Sequence, residues 1–282
     1  MTEAENVGEN CKKIEKREAQ IWKIEWKGIF LPTKYKSITL FTHNKMTQEE
    51  LTRMINEQEG ALSLAFPALM RKVYLWMALA LTITGFTSMI ILSNESFIYT
   101  LFNNQLLFWG LVIGELILVF SLSARIHKMS ITTATIMFVL YSVINGVTLA
   151  PLLFFYTKTS IAKVFFITAG TFGVMSLIGY TTKTDLSSIG KILFMALIGL
   201  IIATVVNLFM HSSTLDLIIS YAGVVIFVGL TAWDTQKIKR MLAMCEEPDE
   251  QAHKIALMGS LALYLDFINL FIWLLRILGD RR

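Results

Sequence analysis

The residues of this sequence that could carry out chemistry are three acidic side chains in long apolar segments. Glu115, Asp234 and Asp266 each lie inside such a segment or at its edge. A charged side chain in a lipid bilayer costs a few kcal/mol unless it faces protein or water. A carboxyl group held in that position can bind protons or cations, so these residues are the first candidates for a functional site.

The three carboxyl groups differ in the roles that their positions favour. Asp266 lies midway along the last apolar segment, and Asn269 follows at i+3 on the same helical face. Asp234 ends the preceding segment, and this position, considered alone, is typical of a residue at the membrane interface. Glu115 lies near the centre of the second segment. Arg125 follows Glu115 by ten residues, nearly three turns, so the two cannot pair directly.

The composition indicates a membrane protein. Hydrophobic residues make up 55% of the 282 residues and charged residues only 16%, against a usual charged share of about 25%. So few charges cannot cover a water-soluble surface, which excludes a soluble domain, a disordered chain and a nucleic-acid binder. The two cysteines form no CxxC motif and the four histidines show no metal-ligand spacing. We therefore expect no cofactor and no thiol metal site.

Seven apolar segments are long enough to cross a bilayer, which takes about 20 residues as helix. Backbone polar groups in lipid must be satisfied within the segment, so we expect an all-α integral membrane protein. The first segment begins at residue 73, and no N-terminal signal peptide is therefore expected. The predicted spans are 73–94, 96–124, a part of 129–157, 164–182, 192–215, 217–233 and 255–275.

The beginning of the chain has a different character. Residues 1–60 carry ten Lys and Arg and ten Asp and Glu, too many charges for a folded core. We expect residues 1–63 to form a polar cytoplasmic tail and residues 64–282 to form the transmembrane domain. An alternative is that translation begins at Met46, which would leave residues 1–45 unexpressed.

Basic residues near the span ends predict the orientation, because cytoplasmic loops carry an excess of Lys and Arg. With a cytoplasmic N-terminus, ten basic residues lie inside and five outside. We therefore expect the N-terminus inside and the C-terminus outside, although the basic C-terminal tail opposes this. The ten are Arg71, Lys72, Arg125, Lys128, Lys183, Lys191, Lys237, Lys239, Arg240 and Lys254.

Small residues predict where helices approach one another closely. Gly170 and Gly173 lie in the fourth span, and Gly199 and Ala203 in the fifth. Small side chains let helix backbones meet in a membrane, so we expect close helix contacts at these positions.

Several runs resemble those of the Bax inhibitor-1 family. They are RKVY (71–74), GYTTKTDL (179–186), LTAWDTQ (230–236) and YLDFINLF (264–271). The resemblance covers about residues 64–282 and leaves residues 1–45 outside. It implies seven helices with the C-terminal helix at the centre, wrapped by the other six. It also implies a pH-sensitive calcium leak in a bacterial plasma (inner) membrane.

The resemblance assigns roles to particular residues. In the family, an aspartate of the sixth helix and one of the seventh form a hydrogen-bonded pair that gates the pore, with a nearby arginine as a latch. Asp234 and Asp266 match the pair, and Arg125 matches the arginine. The loop between the two aspartates is longer here and contains an acidic run at 246–250.

Such a pair has its own physical chemistry. Two carboxyl groups at hydrogen-bond distance in a low-dielectric site cannot both ionise cheaply, so they titrate as one unit. A shared proton holds the helices together at low pH, and two charges repel at higher pH and offer oxygen ligands to Ca²⁺. Asp234 and Asp266 are thus the candidate Ca²⁺ ligands, and Glu115 and Asn269 are pore-lining candidates. The positions of Asp234 and Asp266 along their spans place them at depths that differ by about 15 Å. Helix tilt, or a sixth helix continuing to about Arg240, would have to remove this difference.

The sequence excludes some other functional classes and leaves two of them open. An intramembrane aspartyl protease needs a GxGD run that is absent at Asp266, and no GxSxG or HExxH motif occurs. We therefore expect no enzyme activity. A proton-coupled transporter and a non-conducting regulatory protein stay open as alternatives. The expected partners are the lipid bilayer, Ca²⁺ and protons.

Overall fold

The computed structural model describes residues 48–282, except His127 and residues 246–248. The predicted tail, residues 1–63, falls largely outside this range, and Met46 falls outside it altogether. The division into a tail and a transmembrane domain therefore stays a prediction.

Residues Ile55–Arg282 form one compact unit. Its described residues contain seven helical segments that are long and apolar enough to cross a membrane, which confirms the predicted all-α fold and number of spans. The helices are α1 (Gln48–Ser93, apolar from Phe66), α2 (Glu95–Asn103), α3 (Gln105–Arg125), α4 (Ile131–Phe154), α5 (Lys158–Thr181), α6 (Ser187–Met210), α7 (Ser213–Ala243) and α8 (Glu250–Leu278).

The second predicted span, 96–124, is wrong in one respect, because the structure divides it into two helices. Asn104 ends α2 and begins α3, and its side-chain oxygen accepts a hydrogen bond from the Leu107 N–H at 3.0 Å. Asn94 begins α2 in the same way with the Phe97 N–H. Asparagine is a favoured N-cap because it satisfies an N–H that the first helical turn leaves free. The membrane span is therefore α3 alone.

The sixth predicted span ended at Trp233, whereas α7 continues to Ala243. The additional turns carry Gln236, Lys239 and Arg240, whose polar groups bind the last turn of α5 and the connection between α5 and α6. Hydropathy alone therefore ended this helix too early. An extension to about Arg240 is one of the two expected ways of bringing the two aspartates to similar depths, and α7 has it.

The most buried span is α8. Within its most apolar window 67% of residues are buried, against 6% in α3 and in α6. It packs on α7, α5 and α4, and Tyr264 binds the Thr84 hydroxyl of α1 at 2.7 Å. The wrapping of α8 by all six other spans stays a prediction.

The expected close contacts at small residues are wrong for the three glycines chosen. Gly170, Gly173 and Gly199 are exposed, and a Cβ atom built on any of them would meet nothing within 4 Å. Sequence spacing places a glycine on a helix but does not say which face another helix covers.

Other glycines mark the true close approaches, and most of them concern α7. A Cβ on Gly179 of α5 would lie 2.2 Å from the carbonyl oxygen of Ala232. A Cβ on the glycines at 190, 223 and 259 would likewise overlap a neighbouring side chain, that of Trp233, Trp273 and Ile238 respectively. Helix α7 is therefore packed tightly against α5, α6 and α8 through glycine contacts.

The two ends of the bundle can be told apart by their connections. The basic end contains the α5–α6 connection, residues 182–186, together with the end of α7 and the start of α8. The C-terminal end contains the α6–α7 turn, residues 211–212, and the last residues of the chain. At this end the Arg282 N–H donates to the Phe155 carbonyl at 2.9 Å. The C-terminus is thus hydrogen-bonded to the connection between α4 and α5.

Candidate functional site

Helices α7 and α8 run antiparallel and meet along a line of side-chain contacts that we call the α7–α8 seam. On α7 the contacting residues recur at intervals of 7, 11 and 4 positions, and on α8 at 3, 7 and 7, so each set occupies one helical face. From the C-terminal end to the basic end, the pairs are Asp216–Arg276, Gly223–Trp273, Asp234–Asp266 and Ile238–Gly259.

The structure brings Asp234 and Asp266 together on this seam. Their carboxyl groups lie within hydrogen-bonding reach of each other, and Asp266 is 4% exposed. Its Oδ2 atom has no hydrogen-bond partner among the described residues. Ionised carboxylates only accept hydrogen bonds, so a bond between the two requires one proton. The arrangement can hold a shared proton or, when ionised, face a cation.

The depth difference expected between the two aspartates is largely removed by the helix register. Ile238 lies against Gly259, and that pairing sets Asp234 level with residues 262–263. Asp266 is about one turn, roughly 5 Å, further along α8. Two aspartate side chains can span one turn.

A chain of hydroxyl groups connects α1, α5 and α7 beside the pair. The Tyr74 hydroxyl lies 2.7 Å from the Ser176 oxygen, which lies 3.1 Å from the Thr235 oxygen. Thr235 in turn donates to the Thr231 carbonyl at 2.8 Å. Residues from the RKVY and LTAWDTQ runs are therefore joined next to Asp234.

The GYTTKTDL run is attached to the same part of α7. Gln236 is buried, donates to the Thr184 carbonyl at 2.8 Å and accepts from the Leu186 N–H at 2.9 Å. Lys239 donates to the Tyr180 carbonyl at 2.7 Å. These bonds satisfy backbone groups of the last turn of α5 and of the α5–α6 connection, and they hold both against α7 at the basic end.

An ion pair completes this attachment at the surface. Arg240 donates to Asp185 at 2.8 Å, with both side chains substantially exposed. Hydrogen bonds from Ser187, and then the one from Arg240, lower the pKa of Asp185 to about 2. Asp185 is therefore ionised at any physiological pH, and its pairing does not change there.

A positive charge next to the aspartates was missed by the sequence reasoning. Lys237 is the basic residue whose charge acts on both Asp234 and Asp266. It is exposed, and its Nζ lies 5.0 Å from the centre of the Trp233 ring. The signal was present in the sequence, because Lys237 follows Asp234 at i+3 and so shares its helical face.

Arg125 is not brought to the pair. Its side chain is exposed at the end of α3, and the described residues include no ion pair between it and Asp234 or Asp266. The latch role of Arg125 stays a prediction, and Lys237 is the basic residue that lies closer to the pair.

Glu115 lies in a second polar cluster on another side of α8. Its carboxylate accepts hydrogen bonds from Asn145 and, at 3.0 Å, from Thr148, both on α4. This cluster adjoins Tyr264, which is two residues from Asp266 and so on the opposite face of α8. The structure therefore separates Glu115 from the aspartate pair, and its role in lining a pore stays a prediction.

Asn269 uses its amide within its own helix. Its Nδ2 donates to the Leu265 carbonyl at 2.8 Å, and the side chain is half-buried. The described hydrogen bonds do not join it to Asp266, so its pore-lining role also stays a prediction.

The two aspartates alone do not supply a complete set of ligands for Ca²⁺. Among the described residues no cluster of three or more His, Cys, Asp and Glu side chains could hold a metal ion. Asp234 and Asp266 offer at most four carboxylate oxygens, whereas Ca²⁺ takes six to eight oxygen ligands. A cation at this point would keep part of its water shell.

Comparison with known proteins places the chain among bacterial membrane proteins. The family model described as "Inhibitor of apoptosis-promoting Bax1" matches residues 67–282. The inner membrane protein YbhL of Escherichia coli (strain K12) is 47% identical over 214 residues, 76% of this chain and 92% of that protein. Protein RP147 of Rickettsia prowazekii is 41% identical over 253 residues, 88% of this chain and 98% of that protein. Residues 46–282 make up less than 88% of this chain, so the match to RP147 includes residues before Met46.

Proposed function

The chain belongs to the Bax inhibitor-1 family, and from this premise we propose that it is a pH-sensitive calcium leak channel. It is a multi-pass integral membrane protein, and the proposal places it in the inner membrane, as its relative from Escherichia coli is named. Asp234 and Asp266 gate the passage of cations. The proposal assigns no catalytic reaction and no resident cofactor, and Ca²⁺ is the permeating ion.

One observation carries this proposal. The Asp266 carboxyl group is buried in the middle of α8, in reach of the Asp234 carboxyl group and with one oxygen unpartnered. A buried carboxyl group in a membrane span is costly, and such groups are typical of ion and proton pathways. Purely structural packing would be served as well by an apolar side chain at this position.

The proposed gate responds to pH in a defined direction. A proton shared between the two carboxyl groups holds α7 and α8 together, so the leak is small at acid pH. Loss of that proton leaves two negative charges that repel each other in a low-dielectric site. The seam then opens and presents oxygen ligands to a cation, so the leak grows as pH rises.

The proposed orientation has the basic end in the cytoplasm. Ten Lys and Arg residues flank the spans at that end and five at the other, which is the bias that cytoplasmic loops carry. The N-terminus then lies inside and the C-terminus outside. The gate lies nearer the cytoplasmic side along α7.

The test is a flux assay on purified protein in liposomes. Ca²⁺ release down its gradient is measured at pH 5.5 and pH 7.5, with no other solute present, against empty liposomes. The leak predicts flux at both pH values that is several-fold larger at pH 7.5. Flux that appears only with a second substrate would identify a proton-coupled transporter instead. Correctly inserted protein without flux would leave the non-conducting regulatory role.

A further inference from the structure

At its C-terminal end the α7–α8 seam adjoins an open cavity with both polar and apolar lining. The cavity has a volume of about 320 Å³, enough for about ten water molecules at their liquid volume. Its polar lining includes Thr204, Asn207, His211, Ser212, Asp216 and Arg276. The cavity is thus a place where a hydrated ion can lie against the end of the seam.

An ion pair forms one wall of this cavity. Arg276 of α8 donates from Nη1 to Oδ1 of Asp216 on α7 at 3.1 Å, and the side chains are 29% and 40% exposed. The guanidinium group lies 4.9 Å from the centre of the Trp273 ring. Trp273 is itself buried against Gly223. The charged pair therefore faces the cavity, and Trp273 closes the seam beneath it.

The ion pair and the aspartate pair lie at different positions along the same α7–α8 seam. On α7, Asp216 and Asp234 are 18 residues apart, which is five turns. On α8, Arg276 and Asp266 are ten residues apart, about 15 Å, with Trp273 between them. A cation that leaves the aspartates along the seam would pass Trp273 and then the ion pair before it reaches the cavity.

We propose that the Asp216–Arg276 ion pair sets the charge at this entrance and so controls the access of cations to the seam. This inference rests on the proposed leak function and names the residues that act at its C-terminal end. The paired charges nearly cancel, and removal of either partner leaves one unit charge beside the cavity. A unit charge about 6 Å away in water changes the local concentration about threefold for a monovalent ion and about tenfold for a divalent ion.

The test compares single and double variants in liposomes at pH 7.5 and low ionic strength. Asp216→Asn leaves Arg276 unpaired and is expected to lower Ca²⁺ flux about tenfold and K⁺ flux about threefold. Arg276→Gln leaves the carboxylate unpaired and is expected to raise both fluxes by similar factors. The double variant and the charge-preserving Arg276→Lys should stay near the wild type, and high salt should weaken each effect because it screens charge.

A second measurement does not depend on ion flux. Ser213 lines the cavity, so Ser213→Cys, with Cys11 and Cys245 replaced by Ser, places a thiol beside the ion pair. Asp216→Asn should then slow its reaction with a cationic thiol reagent and accelerate that with an anionic one, and Arg276→Gln should do the opposite.

The outcomes separate this inference from the leak itself. A wild type without flux contradicts the proposed function, and the thiol reactions still decide whether the ion pair sets the cavity's charge. Single variants that lower both fluxes equally, or thiol reaction rates that do not depend on reagent charge, would overturn the inference. They would make the ion pair a contact that only holds α7 to α8.

Discussion

Gly179 of α5 lies so close to Ala232 of α7 that a Cβ atom there would be 2.2 Å from the Ala232 carbonyl oxygen. This is far inside any van der Waals contact, and the atom approached is backbone rather than a flexible side chain. Ala232 is two residues from Asp234. The glycine therefore fixes how near α5 can come to the part of α7 that carries the candidate gate.

Gly179→Ala is expected to destabilise the protein by more than about 2 kcal/mol, because overpacking against backbone forces the two helices apart. The measurement is the thermal unfolding midpoint of purified protein in detergent. Gly173→Ala, on the same helix with nothing within 4 Å, is the matched control and should leave the midpoint unchanged or raise it. Equal losses in the two variants would contradict the close contact.

Asp234→Asn and Asp266→Asn are each expected to flatten the pH dependence of Ca²⁺ flux. Asparagine keeps the shape and can form a hydrogen bond, but it removes one of the two titrating groups. The double variant should add little to either single one, because neighbours in one network are not additive. Flux from pH 5 to 8 in the wild type and the three variants measures this.

A coupled pair does not explain the pH dependence of flux if the effects of Asp234→Asn and Asp266→Asn are independent and add. This explanation is equally wrong if the double variant keeps the wild-type pH profile. In either case the two aspartates would have separate structural roles, and the source of any pH response would lie elsewhere in the protein.

Lys237→Met is expected to move the rise in flux to higher pH by a few tenths of a unit. A positive charge favours ionised carboxylates, and Lys237 is exposed, so its effect on the pair is weakened by solvent. Arg125→Ala tests the latch that the family resemblance implies and should raise the leak at neutral pH or shift its pH midpoint. A shift in Lys237→Met with no change in Arg125→Ala would assign the basic partner to α7.

Asp185→Asn is expected to leave the pH profile of flux between pH 5 and 8 unchanged. The pKa of Asp185 is about 2 in the folded protein, below its ordinary value of about 3.9. The carboxylate therefore contributes stability above about pH 4, and this contribution is lost as pH falls towards 2. Thermal midpoints of both proteins from pH 2 to 8 should differ by a constant amount above pH 5 and converge in acid.

Deletion of residues 1–45 is expected to leave membrane insertion and Ca²⁺ flux intact. The family match begins at residue 67, and every residue of the proposed gate and entrance lies beyond that point. Membrane accumulation of the truncated protein and its flux at pH 7.5 are the measurements. Loss of accumulation would show that the deleted part contributes to the fold, in line with the Rickettsia relative that matches residues before Met46.

Hydropathy was sufficient to find the seven spans, because only long apolar helices satisfy their backbone in lipid. It did not find where α7 ends, because the polar residues Gln236 and Lys239 of its last turns bind the α5–α6 connection and the last turn of α5, which are distant in sequence. The division at Asn104 has a signal in the sequence, because asparagine at 94 and at 104 is a helix-start signal. A search for charges does not detect it, because Glu115 is the only charged residue of the segment 96–124.

The candidate site, too, could be predicted from the sequence only in part. Asp234 and Asp266 could be chosen from sequence because a carboxylate in an apolar span is conspicuous. Their contact could not be derived from helix depth, because the register of α7 against α8 is set by side chains such as Ile238 packing on Gly259. The latch role of Arg125 was taken from the family resemblance, whereas Lys237, one turn from Asp234, is the basic residue whose charge acts on the pair in the structure.

The attachment of Gln236 to the α5–α6 connection has a mechanical consequence. Its two hydrogen bonds, together with the Gly179 contact, join α5, the connection and the basic half of α7 into one rigid frame. Asp234 belongs to this frame, whereas Asp266 belongs to α8. Any separation of the two carboxyl groups is then a displacement of α8, so spin labels on α5 and α7 should keep a fixed distance while labels on α7 and α8 move apart.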